Sequence, residues 1–383
     1  MAASGRTAGE LMAGNKHASL THSGEPTQTV PAVQDGAAPA PAWQSATSMI
    51  HAYEDCEAEI RLGAEASTID TGQVRQRERW FIEGAAALRR TLTANGMQDM
   101  LPSTGQYYAC PLCLMTYGRD AFDKGCFTGE HVPPRHAGGR VLALTCERCN
   151  STAGSSMDAD AEGREAVLDF FGGLPTGRGL RAEFAVGDLR IRGNISSTGD
   201  AMLLSVVPKA NNPSEVAELR QALEVMAAEG ISGRIGFRFI EHVSPTRARL
   251  SWVRAAYLAA FAAFGWRCVL MSYLNPVRAQ LANPTASILP PLALRAPEAP
   301  RERRELLIVQ QPEELRSIAV VLGRYTVFLP SFVNPQPVDA LAAGLAQYFA
   351  LPSPRPPYVG KQVPWPTEPQ YALDRPDDAK LQA

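Results

Sequence analysis

Hydrophobic positions recur at helical spacing in the first third of the chain. One helical face would carry Val74, Phe81, Ala85, Leu88 and Leu92, because residues three, four or seven positions apart lie on the same side of an α-helix. The pattern predicts a helical segment over residues 46–104. Arginines occupy another side of this segment, and we interpret that side as a solvated surface.

The second half of the chain mixes strand and helix patterns. Apolar and polar residues alternate over 180–209, which predicts a β-meander. A capping box with proline at the first helical position follows at Asn212–Glu215. Another helix begins at Ser244-Pro245, and its many aromatic residues mark it as a core element. Alternation returns over 306–329, so we predict an α+β domain at 174–350.

Both ends of the chain have a biased composition. Residues 1–45 are rich in Ala, Gly, Ser, Thr and Pro, which predicts a disordered tail. Proline and charge dominate residues 351–383, which predicts a second tail, with Trp365 as a candidate anchor to the body of the protein. Residues 105–173 form a separate unit between the helical segment and the α+β domain.

Composition limits the classes of function. The chain has 383 residues and a net charge of −2, which excludes a protein that coats nucleic acid along its whole surface. Any contact with nucleic acid must be local. No apolar run reaches the length of a membrane-spanning helix, so no membrane partner is expected. The first residues lack the pattern of a signal peptide, and we expect a cytoplasmic, reducing location.

Two Cys-x-x-Cys pairs carry the clearest chemistry. Cys110 and Cys113 form the first pair, and Cys146 and Cys149 form the second. Each turn holds two thiolates close together, and four thiolates complete a tetrahedral zinc shell. A disulfide framework suits short secreted chains better than this long one, and a redox motif needs only one pair. The long gap between the pairs leaves room for a β-hairpin.

The residues in and after this gap resemble those of the HNH endonuclease family. The resemblance rests on Glu130-His131, Pro133-Pro134, Gly138-Gly139, Cys149-Asn150, Gly154-Ser155 and Asp158. It is closest to the branch that combines a four-cysteine zinc site with Glu-His in place of Asp-His. The resemblance implies a ββα-metal fold at 105–173, in which a hairpin carries the acid-histidine dipeptide and a helix follows the second cysteine pair.

The resemblance also implies roles for single residues. His131 matches the general base, and Glu130 and Asn150 match the ligands of a catalytic divalent ion, while zinc is structural. The residue types suit these roles, because imidazole titrates near neutral pH and oxygen donors suit Mg²⁺ or Mn²⁺. A base and a cation are what phosphodiester hydrolysis requires. The expected partner is nucleic acid, DNA rather than RNA.

Three basic side chains close to the dipeptide have two interpretations each. Arg135 and Arg140 flank the expected cleft, and they either grip phosphates or are simply solvated. His136 lies in the turn after the two prolines, where a solvated histidine is the commoner finding.

One departure from the family keeps an alternative function open. Many HNH members have an asparagine shortly before the second cysteine pair that orients the base, and residues 140–145 contain none. The alternative is a zinc-stabilised nucleic-acid-binding protein without cleavage. A further alternative places the activity in the α+β domain and leaves the zinc unit a purely structural role.

Overall fold

The computed structural model describes residues 71–186, 188–229, 236–240, 243–352 and 357–375. The predicted tail 1–45 and the start of the predicted helical segment lie outside these ranges. The helices are α1 Thr71–Ala94, α2 Arg119–Asp123, α3 Glu147–Ala153, α4 Ala159–Phe171, α5 Pro213–Ala228, α6 Pro245–Phe264, α7 Trp266–Val269, α8 Asn275–Ala282 and α9 Val338–Ala350. A π-helical turn, Gly154–Asp158, joins α3 to α4.

Strands of the described residues form four antiparallel sheets. Their bounds are β1 Tyr107–Ala109, β2 Thr116–Gly118, β3 Phe127–Val132, β4 Arg140–Cys146, β5 Leu180–Val186, β6 Leu189–Ser197, β7 Met202–Val206, β8 Gly236–Phe239, β9 Ala293–Arg295, β10 Arg304–Gln311, β11 Ser317–Leu322, β12 Tyr325–Leu329 and β13 Val359–Val363. β1 pairs with β2 and β3 with β4, while the larger sheets have the orders β7-β6-β5-β8 and β13-β10-β11-β12-β9. The chain is therefore a mixture of α and β structure, as predicted.

Helix α1 buries the apolar face that its sequence predicts. Phe81, Ala85, Leu88 and Leu92 are all buried, whereas Val74 in the first turns is exposed. Gly84 lets this helix approach β1 closely, because a Cβ atom there would lie 2.5 Å from the ring of Tyr108. The helix thereby covers one side of the region that holds the first cysteine pair.

Helix α6 is buried on every side from Leu250 to Phe264. The side chain of Ser244 accepts a hydrogen bond from the Arg247 amide and caps the helix, and Pro245 takes the first position, where its missing N–H costs nothing. The helix ends at Gly265, whose φ of 89° favours glycine. It lies between the hairpin β3–β4 and strands β11 and β12, which explains why its sequence is apolar around the whole circumference.

The unit that carries the four cysteines and most of the predicted α+β domain share one hydrophobic core. That core contains Leu142 and Leu144 of β4 together with Phe261 of α6 and Val327 of β12. The sheet β7-β6-β5-β8 lies outside this core, because its apolar face packs on Phe170 at the end of α4. The predicted region 174–350 therefore contributes to more than one hydrophobic cluster among the described residues.

Part of the predicted C-terminal tail belongs to the folded body. Strand β13 pairs with β10 at the edge of the five-stranded sheet. Beyond it, the Asp374 carboxylate accepts hydrogen bonds from the amides of Trp266 and Arg267 and from the Thr91 hydroxyl, at 2.7, 2.9 and 2.8 Å. The proline-rich composition gave no indication of this fold, because the partners of Asp374 are more than a hundred residues away in sequence and β10 is also remote from β13.

We expect Asp374→Ala to lower the free energy of unfolding by about 3 kcal/mol, because it removes a charged acceptor and leaves the buried Trp266 amide and the partly buried Arg267 amide without their partner. Glu368→Ala is the control, since the exposed Glu368–Arg79 ion pair is worth about 0–1 kcal/mol. Denaturant unfolding of the two variants and the parent chain measures the difference. Equal stabilities for the two variants would show that Asp374 does not hold the C-terminal segment in place.

Candidate functional site

The four cysteines of the two pairs converge on one point. Their sulfur atoms all lie within 4.8 Å of one another. The Sγ atoms of Cys113 and Cys146 are 3.8 Å apart. Tetrahedral zinc with bonds of about 2.3 Å has sulfur–sulfur edges of about 3.8 Å. Burial raises the pKa of the Cys110 thiol well above its ordinary value, so a dication is needed to keep all four sulfurs ionised. The cluster therefore fits a structural zinc ion.

Hydrogen bonds within the protein hold the two cysteine turns in shape. Leu114 has a φ of 57°, which closes the first turn, and its amide donates to the Cys110 carbonyl at 2.8 Å. The Cys146 amide points at the Cys110 sulfur at 3.4 Å. From α6, the buried Tyr257 hydroxyl donates to the Pro111 carbonyl at 2.8 Å. The turns are thus tied both to each other and to the central helix.

The hairpin β3–β4 presents Glu130 and His131 on opposite faces. Glu130 pairs with Ala143 and His131 with Val141, so the extra residue of the irregular pairing is Leu142 on β4. Strand β3 itself keeps its alternation, and neighbouring side chains point to opposite sides. In the loop, a Cβ atom at Gly139 would lie 1.5 Å from the Pro133 carbonyl oxygen. The glycine pair is therefore required by the turn itself.

Glu130 is buried in an ion pair with Arg254 of α6. The Arg254 Nη2 atom lies 2.6 Å from Glu130 Oε2, and both side chains are 3% exposed. Arg254 Nη1 lies 3.7 Å from Asp158 Oδ2, and Ser251 donates to Asp158 Oδ1 at 2.6 Å. Burial raises the pKa of Glu130, and Arg254 opposes that shift. One guanidinium thus neutralises the predicted ligand Glu130 and contacts a second carboxylate.

Asn150 lies in α3 and contacts the hairpin. Its amide nitrogen donates to Thr128 Oγ1 at 2.7 Å. Thr128 is two residues before Glu130, so both belong to the same face of β3. Asn150 therefore ties the helix to the Glu130 face of the hairpin. It is not the N-cap residue of α3, since Cys146 takes that position.

His131 lies on the other face of the hairpin among basic groups. Its side chain is half-buried. Burial and the positive charges of Arg135 and Arg77 lower its pKa. Arg77 comes from α1, and its Nε lies 3.5 Å from the point where a Cβ would sit on Gly129, the neighbour of His131 on that face. The histidine is therefore neutral at neutral pH and flanked by two guanidinium groups.

Arg135 and Arg140 lie at different places, although the sequence suggested one cleft. Arg135 is exposed and close to His131. Arg140 pairs in register with Val132, and it lines a cavity together with His136. His136 is exposed, and its ring centre is 6.3 Å from that of Trp252. The hairpin thus carries basic groups on both faces.

Two residues that shape this site, Arg77 and Arg254, were not predicted from the sequence. Arg77 lies on a helix with many other arginines, and nothing in its spacing distinguishes it. Arg254 lies inside an apolar helix, where a single buried arginine is unusual unless it is paired. That anomaly is the one feature of the sequence that could have indicated the Glu130 ion pair.

Comparison of the chain with protein-family models, with curated proteins and with solved structures finds no match. Among the described residues, no helix is long and apolar enough to cross a membrane. The assignment of function therefore depends on the residues and on the geometry of the site.

We predict about one tightly bound zinc ion per chain. The double change Cys146→Ser, Cys149→Ser should remove the ion and much of the folded structure, because zinc binding and folding of such a unit are coupled. Cys268→Ser is the matched control, since Cys268 is a buried free thiol outside the cluster. Elemental analysis and circular dichroism give the readout. Full zinc content in the double variant would contradict the four-cysteine site.

We predict that Arg254→Met lowers the free energy of unfolding by about 3–5 kcal/mol at pH 8, because it leaves the Glu130 carboxylate buried without a counter-ion. The loss should shrink towards pH 5. A buried acid with a raised pKa is favoured by the folded state when protonated, so stability is lost as the pH rises through that pKa.

The double variant Arg254→Met, Glu130→Gln should recover much of this stability and lose the pH dependence. Denaturant unfolding at both pH values for the single and double variants completes the cycle. A double variant as unstable as Arg254→Met would mean that the two side chains are not coupled.

Proposed function

We propose that the chain is an HNH-type endonuclease that hydrolyses phosphodiester bonds of nucleic acid, with DNA preferred over RNA. Three features support this proposal together. A β-hairpin carries Glu130-His131, helix α3 carries Asn150 against that hairpin, and four cysteines hold the start of the helix in place. This order of hairpin, cysteine turn and helix supports the ββα-metal arrangement that the resemblance implies.

The main support for the proposal is the position of His131. It is partly accessible on a hairpin held at one end by the cysteine cluster, and Arg77 and Arg135 lie beside it. A phosphate oxygen is the natural partner of two such guanidinium groups. A neutral imidazole next to a bound phosphate is placed to accept a proton from an attacking water molecule.

The proposed reaction can be written for this face of the hairpin. His131 takes one proton from water as the water oxygen bonds to phosphorus. The bond from phosphorus to the leaving oxygen breaks, and solvent protonates that oxygen. Arg77 and Arg135 stabilise the additional negative charge on the phosphate. The products are a phosphate monoester end and a hydroxyl end, and the imidazolium returns its proton to solvent.

The catalytic ion implied by the resemblance is Mg²⁺ or Mn²⁺, with Glu130 and Asn150 as ligands. The present arrangement of Glu130 does not fit such an ion. Its carboxylate is neutralised by Arg254 at 2.6 Å and is 3% exposed, whereas Mg²⁺ keeps several water molecules in an octahedral shell. The reaction above therefore contains no step through a divalent ion.

The Glu130–Arg254 pair favours a second candidate function. If a divalent ion is indispensable and Glu130 cannot leave Arg254, the unit binds nucleic acid without cleaving it. Arg77, Arg135 and Arg140 would then serve as phosphate contacts. This candidate predicts binding that falls with salt concentration, and no product.

We expect His131→Ala to reduce cleavage by at least about 10²-fold, as removal of a positioned general base does. Zinc content and melting temperature should remain close to those of the parent chain, because the side chain is partly exposed. The assay uses plasmid DNA, single-stranded DNA and RNA as substrates. Each is tested with Mg²⁺, with Mn²⁺ and with a chelator that removes these ions but leaves zinc bound at the four cysteines.

Arg77→Gln and Arg135→Gln should also reduce cleavage, whereas Arg316→Gln should not, since Arg316 lies in a local ion pair with Glu313. Because burial and the charges of Arg135 and Arg77 lower the pKa of His131, activity should persist to a lower pH than an ordinary histidine would allow, and it is lost as the histidine becomes protonated. Binding without cleavage under all conditions would replace the nuclease by the second candidate. Cleavage only with Mg²⁺ or Mn²⁺ would mean that Glu130 exchanges Arg254 for the ion.

A further inference from the structure

A cavity of about 520 Å³ lies on the face of the hairpin opposite to His131. Val132 and Arg140, which share the Glu130 face, form one wall. Other walls come from α4, whose Glu165 is paired with Arg295 at 3.1 Å, from α6, from the segments that flank β10 and β11, and from the C-terminal segment with Trp365. Its size is that of a small-molecule or cofactor site. Six separate parts of the chain thus meet around one space that the proposed cleavage reaction does not use.

The basic groups of the cavity differ in how far they are neutralised. Arg301 and Arg324 both contact the buried Asp169 carboxylate. Arg140 and Arg304, in contrast, have no carboxylate within ion-pair distance among the residues described. Arg304 is half-buried, and its guanidinium donates to main-chain carbonyls only, including that of Ala137 in the hairpin loop at 2.6 Å.

Burial lowers the pKa of Arg304, as expected for a cation without a counter-ion. Glu302 is exposed on the same loop, and its charge favours the Arg304 cation. Arg140 is exposed at the mouth of the cavity. The cavity therefore offers two guanidinium groups to an anionic ligand.

Aromatic rings form much of the remaining wall. Trp252 and Tyr325 stack on each other, with ring centres 4.3 Å apart and planes inclined by 14°. Trp365 is half-buried at the cavity, and His136 lies edge-on to Trp252. The predicted anchor Trp365 therefore also supplies part of the lining. Flat rings next to arginines that form no ion pair with a described residue suit a ligand that joins a planar ring system to an anion.

We propose that this cavity binds one nucleotide unit, with its base against Trp365 and its phosphate at Arg140 and Arg304. A nucleotide combines a stackable base with a phosphate at the distance of one sugar, and base stacking on aromatic side chains tolerates any base. Arginine supplies the planar donors that phosphate accepts. The proposal goes beyond cleavage at His131, because the two sites lie on opposite faces of the hairpin.

The nucleotide has two sources, a free mononucleotide or one unit of a strand. Titration calorimetry of the full chain with 5′-AMP, 5′-TMP, a ten-residue oligothymidylate and inorganic phosphate separates them. We expect the nucleotides to bind at one per chain and phosphate to bind much more weakly. Competition by 5′-AMP against the oligonucleotide identifies a unit of a strand, and independent binding of the two identifies a free nucleotide.

Arg140→Gln and Trp365→Ala should each weaken nucleotide binding by about tenfold or more, the usual effect of losing one charged contact or one stacked base. Arg303→Gln is the matched control, because Arg303 is on the same loop but is paired with Glu305 and does not line the cavity. Melting curves confirm that each variant is folded.

His131→Ala should bind nucleotides as the parent chain does, which keeps this test independent of the proposed cleavage. Absence of nucleotide binding by the folded parent chain overturns the proposal. Equal affinities for inorganic phosphate and 5′-AMP, unchanged in Trp365→Ala, also overturn it, since the cavity would then be a simple anion site.

Discussion

The burial of one guanidinium between two carboxylates is the constraint on which the rest of the site depends. Arg254 projects from a helix that is otherwise apolar, and it contacts Glu130 of the hairpin and Asp158 of the π-helical turn. A buried charge without partners is very costly, so these three elements can be buried together only in an arrangement that brings the charges into contact. The ion pair therefore sets the position of the hairpin on α6. It also keeps a substrate away from Glu130 itself, because the hairpin is closed against α6 at that residue.

The hairpin has three separate surroundings along its length and across its faces. Its base continues into the four-cysteine cluster, one face carries His131 near Arg77 and Arg135, and the end of the other face forms the cavity with Arg140. The arginines that we assign to function lie on these two faces, although the chain as a whole has a net charge of −2. This local concentration reconciles the nearly neutral composition with a proposed partner that is a polyanion.

Elements that depend on nearby residues could be predicted from the sequence, and those that depend on distant residues could not. Helix α1 follows from periodicity, and the buried helix α6 follows from its Ser244-Pro245 start and its many aromatic residues. The cysteine cluster follows from the spacing within each pair, because a short turn fixes the distance between its own sulfurs. Strand β13 and the contacts of Asp374 were missed. Their stability comes from β10, α7 and Thr91, which are remote in sequence, and proline-rich composition is a poor guide to such pairing.

For the candidate site, the sequence by itself determined the residue types and their order: four thiols, an acid-histidine dipeptide and an asparagine after the last cysteine. Alternation along a strand also determined that Glu130 and His131 point to opposite faces. Only the tertiary structure decided what each face meets. The Glu130 face meets Arg254 from more than a hundred residues away, and the His131 face meets Arg77 from the first helix. The tertiary structure also decided that Arg135 lies near His131, whereas Arg140 lies on the Glu130 face. Burial and charge pairing are properties of the packed elements, and no local pattern of residues encodes them.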